Sequence, residues 1–225
     1  MTVDLSLYVL VDPERSRGRP LAELAAEAAA GGATLIQYRD KLASTARMVE
    51  TAHAIRIALT GSGVPLLIND RVDVALASGA DGVHVGQDDM GVADARRLLG
   101  DEAIIGLTIR SAEEAEAAAV ELIDYACIGG VFATGSKDNA GAPIGIGGFA
   151  GIRQVFTRRW PRLPVGAIAG IDATNAAALA RAGADGVAVM SAVTLAEDPR
   201  AAAAALKAAF VAGRPEPRPS RSDQP

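Results

Sequence analysis

The chain has 225 residues, of which 50% are hydrophobic and 22% are charged, and its formal net charge at pH 7 is −5. This composition supplies one large apolar core, and the scattered basic residues give no patch typical of nucleic-acid binding. A single cysteine, Cys127, excludes an internal disulfide, and no apolar stretch reaches the roughly 18 residues that a membrane span needs. Because the N-terminus also lacks the pattern of a signal peptide, we expect a soluble cytoplasmic protein.

Short apolar runs alternate with alanine-rich segments along most of the chain, which predicts a series of strand–helix units. The predicted strands cover residues 6–11, 34–38, 65–68, 82–85, 103–108, 124–128, 165–168 and 186–190. The predicted helices cover residues 21–30, 45–59, 73–77, 93–99, 112–122, 151–157, 173–181 and 199–212. Ser111 and Glu114 have the spacing of a capping box at the start of the fifth helix, and Asp172 is the predicted cap of the seventh.

A five-residue motif repeats within the chain and indicates a barrel. Gly-Ala-Asp-Gly-Val occurs at residues 79–83 and again at 183–187, an offset of 104 residues. With four strand–helix units in that interval, each unit takes about 26 residues, and eight units need about 208, near the lower limit for such barrels. We therefore predict one α/β domain, a (β/α)8 TIM barrel over residues 1–212, followed by a disordered polar tail over 213–225. An open doubly wound sheet is the alternative, although Asp12-Pro13 stands where its glycine-rich first turn is expected.

Acidic residues follow two consecutive predicted strands. Asp70 comes shortly after the third strand, and Asp88 and Asp89 come shortly after the fourth. Because the carboxyl ends of parallel barrel strands face one mouth, these carboxylates could share a hard cation such as Mg2+, which often takes few protein ligands. The pattern does not decide between Asp88 and Asp89, and Asp70 has the alternative role of capping the helix that follows.

Basic and small residues at other strand ends predict two phosphate sites. Arg39 and Lys41 lie two apart in an extended segment, so their side chains are expected on one side, as a guanidinium fork and a point charge. Gly170 and Ser191 follow the seventh and eighth strands, where barrels often hold a phosphate on backbone N–H groups. Lys137, in the glycine-rich loop 129–147, predicts an anion-binding lid.

Three further residues have ordinary structural interpretations. His84 is flanked by valines in a predicted strand, so we expect a buried, hydrogen-bonded barrel residue. Cys127 lies in another strand and is expected to be inert core, and His53 should face solvent on a helix.

These motifs, in this order, resemble the thiamine-phosphate synthase family over about residues 5–210. The motifs are Gln-Tyr-Arg-Asp-Lys at 37–41, Leu-Ile-Asn-Asp at 67–70, Gly-Val-His-Val-Gly-Gln-Asp-Asp at 82–89, Asp-Tyr at 124–125 with Gly129, Thr-Gly-Ser-Lys at 134–137, Gly-Ile at 170–171, Ala-Gly-Ala-Asp-Gly-Val at 182–187 and Ser-Ala at 191–192. The resemblance implies a Mg2+-dependent transferase that joins 4-amino-2-methyl-5-pyrimidinylmethyl diphosphate to hydroxyethylthiazole phosphate. The products are thiamine phosphate and pyrophosphate.

The resemblance also implies a role for each matching residue. The pyrimidine diphosphate is expected to bind Gln37, Tyr38, Arg39, Asp40, Lys41, Asn69, Thr108 and Lys137. The thiazole phosphate is expected to bind Thr134, Gly135, Ser136, Gly170, Met190 and Ser191. The expected catalytic residues are Arg39, Lys41, Thr108 and Lys137, and the expected Mg2+ ligands are Asp70 and Asp89.

The chain departs from the family pattern at several positions. Thr108 stands where Ser is usual, Ala133 where Pro is usual, and Ala169 replaces the first of two glycines. The alternative function is a thiazole-phosphate isomerase (tautomerase) or a non-catalytic paralogue of the same barrel. That isomerase branch uses a His shortly after the fifth strand, where this chain has Ile109-Arg110.

A third interpretation is another phosphate-binding barrel, such as an aldolase or an epimerase. A Schiff-base aldolase needs a lysine inside a strand, and no predicted strand contains one. The expected partners are small phosphorylated molecules, with no nucleic acid and no membrane. A homo-oligomer is compatible with the sequence, which does not specify the oligomeric state.

Overall fold

The computed structural model describes residues 3–135 and 142–215, and within them eight parallel strands close into a barrel. The strands are β1 (Tyr8–Val11), β2 (Leu35–Tyr38), β3 (Leu66–Asn69), β4 (Gly82–Val85), β5 (Ile104–Ile109), β6 (Tyr125–Ile128), β7 (Val165–Ile168) and β8 (Gly186–Val189). Each strand pairs with the next, and β1 closes the ring by pairing with β8, where Tyr8 lies opposite Ala188. The (β/α)8 prediction is therefore confirmed.

Helices surround the strands. The α-helices are α1 (Leu21–Ala30), α2 (Thr45–Ala58), α3 (Val72–Ser78), α4 (Val92–Leu99), α5 (Ala112–Ala117), α6 (Gly145–Arg159), α7 (Ala176–Arg181), α8 (Ser191–Thr194) and α9 (Pro199–Ala212). Two 3-10 helices cover Pro13–Arg15 and Val120–Leu122. Over residues 3–135 and 142–215, no helix is long and apolar enough to cross a membrane.

Side chains of the strands alternate between two apolar cores. Along β1, Tyr8 and Leu10 belong to the core inside the barrel, while Val9 and Val11 belong to the core between strands and helices. Cys127 lies in the inner core, where burial raises the pKa of its thiol to about 12. This thiol stays protonated at neutral pH, as expected for an inert core residue.

Two helices differ from their predicted bounds because packing outweighs local propensity. Ser111 caps α5, with Glu114 N donating to Ser111 Oγ at 3.1 Å, while the Glu114 carboxylate accepts from the backbone N of Arg110 at 2.6 Å; the helix ends at Ala117 instead of residue 122. The chain then makes a 3-10 turn that buries Val120. Helix α6 begins at Gly145, inside the predicted loop 129–147, because burial of residues such as Phe149 stabilises a glycine-rich first turn.

The last third of the chain contains two further corrections. Asp172 does not cap α7; its carboxylate accepts hydrogen bonds from the backbone N (2.8 Å) and hydroxyl (2.6 Å) of Thr174, and this local turn delays the helix to Ala176. At the C-terminus, Arg214, the second residue of the predicted tail, donates to the carbonyl of Asp185 at 3.0 Å and so contacts the barrel. The remainder of that tail, 216–225, lies outside the described residues.

Candidate active site

Two adjoining cavities open at the carboxyl ends of the strands. The first, the acidic cleft, is lined by Lys41, Asp70, Gly86, Gln87, Asp88 and Asp89 together with the shared residues below. The second, the inner cavity, is lined by the ends of β7 and β8 and by residues such as Gln37, Thr134 and Gly170. Residues common to both cavities are Arg39, Asn69, His84, Thr108 and Arg110. Two ligands could therefore lie end to end across this shared boundary.

Asp70 is held in place by its neighbours and by an unusual backbone. Its φ of 63° lies in the left-handed region, and its backbone N donates to the carbonyl of His84 at 2.8 Å. One carboxylate oxygen accepts from Asn69 Nδ2 at 2.6 Å and also pairs with the Lys41 ammonium. Arg71, and not Asp70, occupies the N-cap of α3, so the alternative capping role of Asp70 is wrong. A strained backbone that aims a carboxylate into a cleft is typical of functional sites.

Asp89 lies beside Asp70 across the acidic cleft. Its carboxylate accepts from the backbone N of Gly86 at 2.8 Å, which fixes its position at the end of β4. Burial raises the pKa of Asp89, and the neighbouring Asp70 carboxyl raises it further. Asp88 is exposed, and its carboxyl is not among the groups that shift this pKa. The geometry therefore favours Asp89 over Asp88 as the partner of Asp70.

The donor set of this carboxylate pair suits Mg2+. Within the described ranges, no three His, Cys, Asp or Glu side chains come together as a metal site. Asp70 and Asp89 thus offer hard oxygen ligands only, and Mg2+ commonly binds through one or two carboxylates, several waters and a substrate phosphate. A cation between them would also relieve the repulsion that raises the pKa of Asp89.

Both predicted cationic residues on the β2 side line the acidic cleft, but they are held differently. Arg39 forms an ion pair with Asp12, a buried residue that follows β1. This pairing holds the guanidinium against the wall of the cleft, so it is pre-organised for an anion. Lys41 is 46% exposed and pairs with Asp70, so its flexible side chain, which is more exposed than that of Arg39, can follow a ligand.

The side chains of Tyr38 and Asp40, unlike those of Gln37 and Arg39, lie outside both cavities, so nothing in this geometry supports their predicted contact with the pyrimidine diphosphate. Successive residues of β2 point to opposite faces, so Gln37 faces the barrel interior while Tyr38 packs against the helices. Burial raises the pKa of Tyr38 to about 12. Asp40 accepts from the backbone N of Leu42 and Ala43, each at 2.9 Å, and so shapes the following loop. Neither side chain lines either cavity.

The predicted residues of the second phosphate site also include some that line a cavity and some that do not. Thr134, Gly170, Met190 and Ser191 line the inner cavity. Gly135 is exposed outside that lining, and its carbonyl accepts a hydrogen bond from Arg15. Ser136, also predicted for this site, lies outside the described residues, as does Lys137, which was predicted for the pyrimidine diphosphate.

The backbone around Gly170 explains why a glycine is needed there. Its φ is 65°, and an added Cβ would overlap the carbonyl oxygen of Ala133 and lie 2.7 Å from Cβ of Phe132. The preceding Ala169 has a φ of 96°, a conformation that alanine rarely adopts. The departure from a double glycine is therefore accommodated with backbone strain.

Polar groups continue from the cavity floor into the barrel. His84 is 6% exposed, and its ring nitrogens lie 2.8 Å from the Tyr125 hydroxyl and 2.7 Å from Thr108 Oγ1. The expectation of a buried, hydrogen-bonded histidine is confirmed. The hydroxyl of Tyr125 lies 3.0 Å from that of Tyr8, which is in turn hydrogen-bonded to Gln37.

Sequence reasoning missed two residues that the structure places at the mouth. Arg110 follows β5 and lines both cavities, whereas the motif comparison treated it only as the replacement of a histidine. Its position two residues after Thr108 was the available signal, because alternate residues of an extended segment face the same side. Asp12, which orients Arg39, gave a similar signal as the residue directly after β1.

Comparisons with known proteins agree with this architecture. A family model described as thiamine monophosphate synthase matches residues 7–193. The thiamine-phosphate synthase of Agrobacterium fabrum is 58% identical over 191 residues, which cover 85% of this chain and 87% of that protein. The thiamine-phosphate synthase of Chloroflexus aurantiacus is 50% identical over 206 residues, covering 92% and 93%.

A solved structure of thiamine phosphate pyrophosphorylase from Pyrococcus furiosus superposes with a TM-score of 0.81 at 37% identity, covering 94% of this chain and 98% of that one. The likeness therefore extends over the strands that form both cavities. On the family model and these identities, the chain belongs to the thiamine monophosphate synthase family.

Proposed function

We propose that the chain is a thiamine-phosphate synthase, a transferase that condenses 4-amino-2-methyl-5-pyrimidinylmethyl diphosphate with hydroxyethylthiazole phosphate in a Mg2+-dependent reaction. The observation that carries the proposal is the junction of two cavities at one barrel mouth. A paired-carboxylate cleft with Arg39 and Lys41 meets a cavity bounded by Gly170 and Ser191. Two anionic substrates need such an arrangement, because their reacting atoms must meet while their phosphates remain apart.

The pyrimidine diphosphate is assigned to the acidic cleft. Mg2+ held by Asp70 and Asp89 would neutralise charge on the diphosphate as it leaves. Arg39, oriented by Asp12, offers a planar fork to the phosphate oxygens, and Lys41 can leave Asp70 to contact them. These residues stabilise charge that develops in the transition state, which is how electrostatic catalysis acts.

The reaction transfers the methylene carbon from an oxygen of the leaving diphosphate to the attacking thiazole nitrogen. The bond from the methylene carbon to the diphosphate oxygen breaks, and its electron pair departs with pyrophosphate. The thiazole nitrogen then supplies the electron pair of the new carbon–nitrogen bond, which gives thiamine phosphate. No protein nucleophile is required, and the chain's single cysteine is protonated in the core.

The thiazole phosphate is assigned to the inner cavity. Gly170, Met190 and Ser191 lie there at the ends of β7 and β8, the region where barrel enzymes often bind phosphate. Thr134 adds a side chain from the loop after β6. In this assignment the thiazole ring points back toward the shared residues, where it meets the methylene carbon.

The acidic cleft also separates this proposal from an isomerase of the same fold. An isomerisation of the thiazole phosphate has no diphosphate to neutralise and thus no use for Asp70, Asp89 and Lys41 arranged around one cleft. We further propose that the enzyme acts in the cytoplasm on small phosphorylated molecules, with Mg2+ as its cofactor. A free thiol in the core fits that reducing compartment.

The test is a two-substrate assay on the purified chain. Both substrates and Mg2+ should yield equal amounts of thiamine phosphate, identified by mass, and pyrophosphate. Omission of either substrate or chelation of the metal should abolish both products. Absence of thiamine phosphate with all three present, or conversion of the thiazole phosphate alone to an isomer, would contradict the proposal.

A further inference from the structure

Arg110 differs from the other basic residues at the barrel mouth because its charge is unpaired. Among the described residues, three lysine and arginine side chains line the two cavities, those of Arg39, Lys41 and Arg110. Arg39 pairs with Asp12, and Lys41 pairs with Asp70. The Arg110 guanidinium forms no hydrogen bond or ion pair with any residue that the structure describes. Its five N–H donors are therefore available to an anionic ligand.

The start of α5 fixes the backbone of Arg110. Its backbone N donates to the Glu114 carboxylate at 2.6 Å, and Ser111 caps the helix directly after it. This carboxylate is thus bound to the backbone and not to the guanidinium. The aliphatic part of the side chain passes near Gly129, where an added Cβ would lie 3.7 Å from Arg110 Cγ. The backbone is therefore held in place while the charged end of the side chain lines the cavities.

The order of the strands places Arg110 on the other side of the carboxylate pair from Arg39 and Lys41. Arg39 and Lys41 follow β2, whereas Asp70 follows β3. Asp89 follows β4, and Arg110 follows β5. Each of these strands is hydrogen-bonded to the next around the barrel. A diphosphate on a metal between the two aspartates would therefore have basic side chains on both of its flanks.

A hydrogen bond joins the end of β5 to the loop that carries Asp89. Gln87, in that loop, donates from Nε2 to the backbone carbonyl of Thr108 at 2.7 Å. Thr108 and Arg110 are alternate residues of an extended segment, and both line the acidic cleft. The cavity wall assigned to the thiazole phosphate lies at the ends of β7 and β8, which β6 separates from β5. Arg110 reaches both cavities, but its strand adjoins the acidic side.

We propose that Arg110 is a further catalytic residue, whose guanidinium binds the diphosphate of the pyrimidine substrate from the β5 side and stabilises it as it leaves. This inference rests on the proposed function, which supplies the diphosphate. When the bond to the methylene carbon breaks, its electron pair remains on the diphosphate oxygen, so the leaving group gains negative charge. Arg110 can bind that charge without first breaking an ion pair, whereas Lys41 must leave Asp70.

The test measures the Kd of pyrophosphate, the leaving group, by titration with Mg2+ present and no other substrate. Arg110→Gln keeps much of the aliphatic side chain and removes the charge, and Arg110→Lys keeps a charge without the planar fork. The Kd of pyrophosphate should rise about 10-fold to 100-fold in Arg110→Gln, the usual effect of a lost charged hydrogen bond, and less in Arg110→Lys. The Kd of hydroxyethylthiazole phosphate, titrated separately, should be unchanged in both.

Arg158→Gln is the matched control, because it removes the same charge from a different part of the protein. Arg158 is exposed in the last turn of α6 and lines neither cavity. This variant should keep the wild-type Kd for pyrophosphate and the wild-type kcat. Arg110→Gln should also lower kcat at saturating concentrations of both substrates, because the guanidinium acts on charge that develops in the transition state.

Both Arg110 variants keep the backbone N that bonds to Glu114, so their Tm should remain close to that of the wild type. An unchanged Kd for pyrophosphate in Arg110→Gln would overturn the inference, and so would an equal rise in Arg158→Gln. Weaker binding of the thiazole phosphate alone would also overturn it, since Arg110 would then serve the inner cavity. Failure of the proposed function would appear differently, because wild-type protein would make no thiamine phosphate whatever its affinity for pyrophosphate.

Discussion

Two adjacent residues at the end of β7 are expected to respond in opposite ways to exchange of glycine and alanine. Gly170 has a φ of 65° and no space for a Cβ beside Ala133 and Phe132, whereas Ala169 has a Cβ and a φ of 96°. Gly170→Ala should therefore destabilise the protein, and Ala169→Gly should stabilise it. The same two changes also probe the wall of the inner cavity, which both residues line.

The magnitudes follow from strain and packing. In Gly170→Ala, the left-handed backbone costs about 1 to 2 kcal/mol and overpacking adds about 1 to 3, so the free energy of unfolding should fall by about 2 to 5 kcal/mol. In Ala169→Gly, relief of about 1 to 3 kcal/mol of strain is offset by about 0.5 to 1 for the more flexible unfolded chain. The net gain of about 1 kcal/mol corresponds to a rise in Tm of about 2 to 4 °C.

Thermal and denaturant unfolding measure these changes. Ala167→Gly, two residues earlier in the strand and also buried, is the matched control and should lower Tm, because its backbone φ is not in the left-handed region. Ala169→Gly should in addition lower KM for the thiazole phosphate and leave KM for the pyrimidine diphosphate unchanged. A Gly170→Ala protein as stable as wild type would refute the packing argument. A change in KM for the pyrimidine diphosphate alone would mean that the two substrates are assigned to the wrong cavities.

The acidic cleft provides the remaining predictions. Asp89→Asn should abolish Mg2+-dependent turnover, while Asp88→Asn, at the exposed neighbour, should keep most of it; full activity of Asp89→Asn in a Mg2+ titration would contradict the assignment. Arg39→Ala should lower kcat/KM by roughly 100-fold to 1000-fold, the usual loss for a donor to a developing anion. The same change leaves the Asp12 carboxylate without its ion-pair partner and should lower Tm. Lys137→Ala should also weaken binding of the pyrimidine diphosphate and lower kcat. Unchanged kinetics would show that the predicted loop 129–147 is not a lid. Because the pKa of Asp89 is raised in the folded protein, its protonated form is favoured there, so this carboxyl contributes stability at low pH that is lost as the pH rises through the raised pKa. Mg2+ affinity should show the opposite trend and fall as the pH falls through the same pKa, since the metal competes with the proton; a pH-independent Kd over that range would contradict the site.

Much of the fold could be predicted because apolar runs and glycine stops are local signals. The bounds of β4, β7, α1 and α9 match the prediction, and the 104-residue repeat correctly indicated eight evenly spaced units. The errors at α5 and α6 have one cause. An alanine-rich segment after α5 turns inward to bury Val120, and a glycine-rich segment becomes helical because the residues that follow are buried. Tertiary packing determined the end of α5 and the start of α6, and a local sequence pattern carries no information about such packing.

The site was predicted less completely than the fold. Strand-end position correctly grouped Asp70, Asp89 and Arg39 at one mouth, because parallel strands end on the same side. The motif comparison did not distinguish Tyr38, which faces the helices, from Gln37, which faces the barrel interior. It treated the motif as a unit and ignored the alternation of side chains along the strand. The pairing of Arg39 with Asp12 joins residues 27 apart in sequence, and only the register of β1 against β2 brings them together.

The most direct test of the two-cavity account is a crystal structure with Mg2+, thiamine phosphate and pyrophosphate bound. The account predicts Mg2+ about 2.0 to 2.1 Å from oxygens of Asp70 and Asp89, with pyrophosphate on the metal and on Arg39. The phosphate of thiamine phosphate should lie near Gly170 and Ser191 in the inner cavity. Pyrophosphate in the inner cavity, or a metal that contacts neither aspartate, would contradict the account.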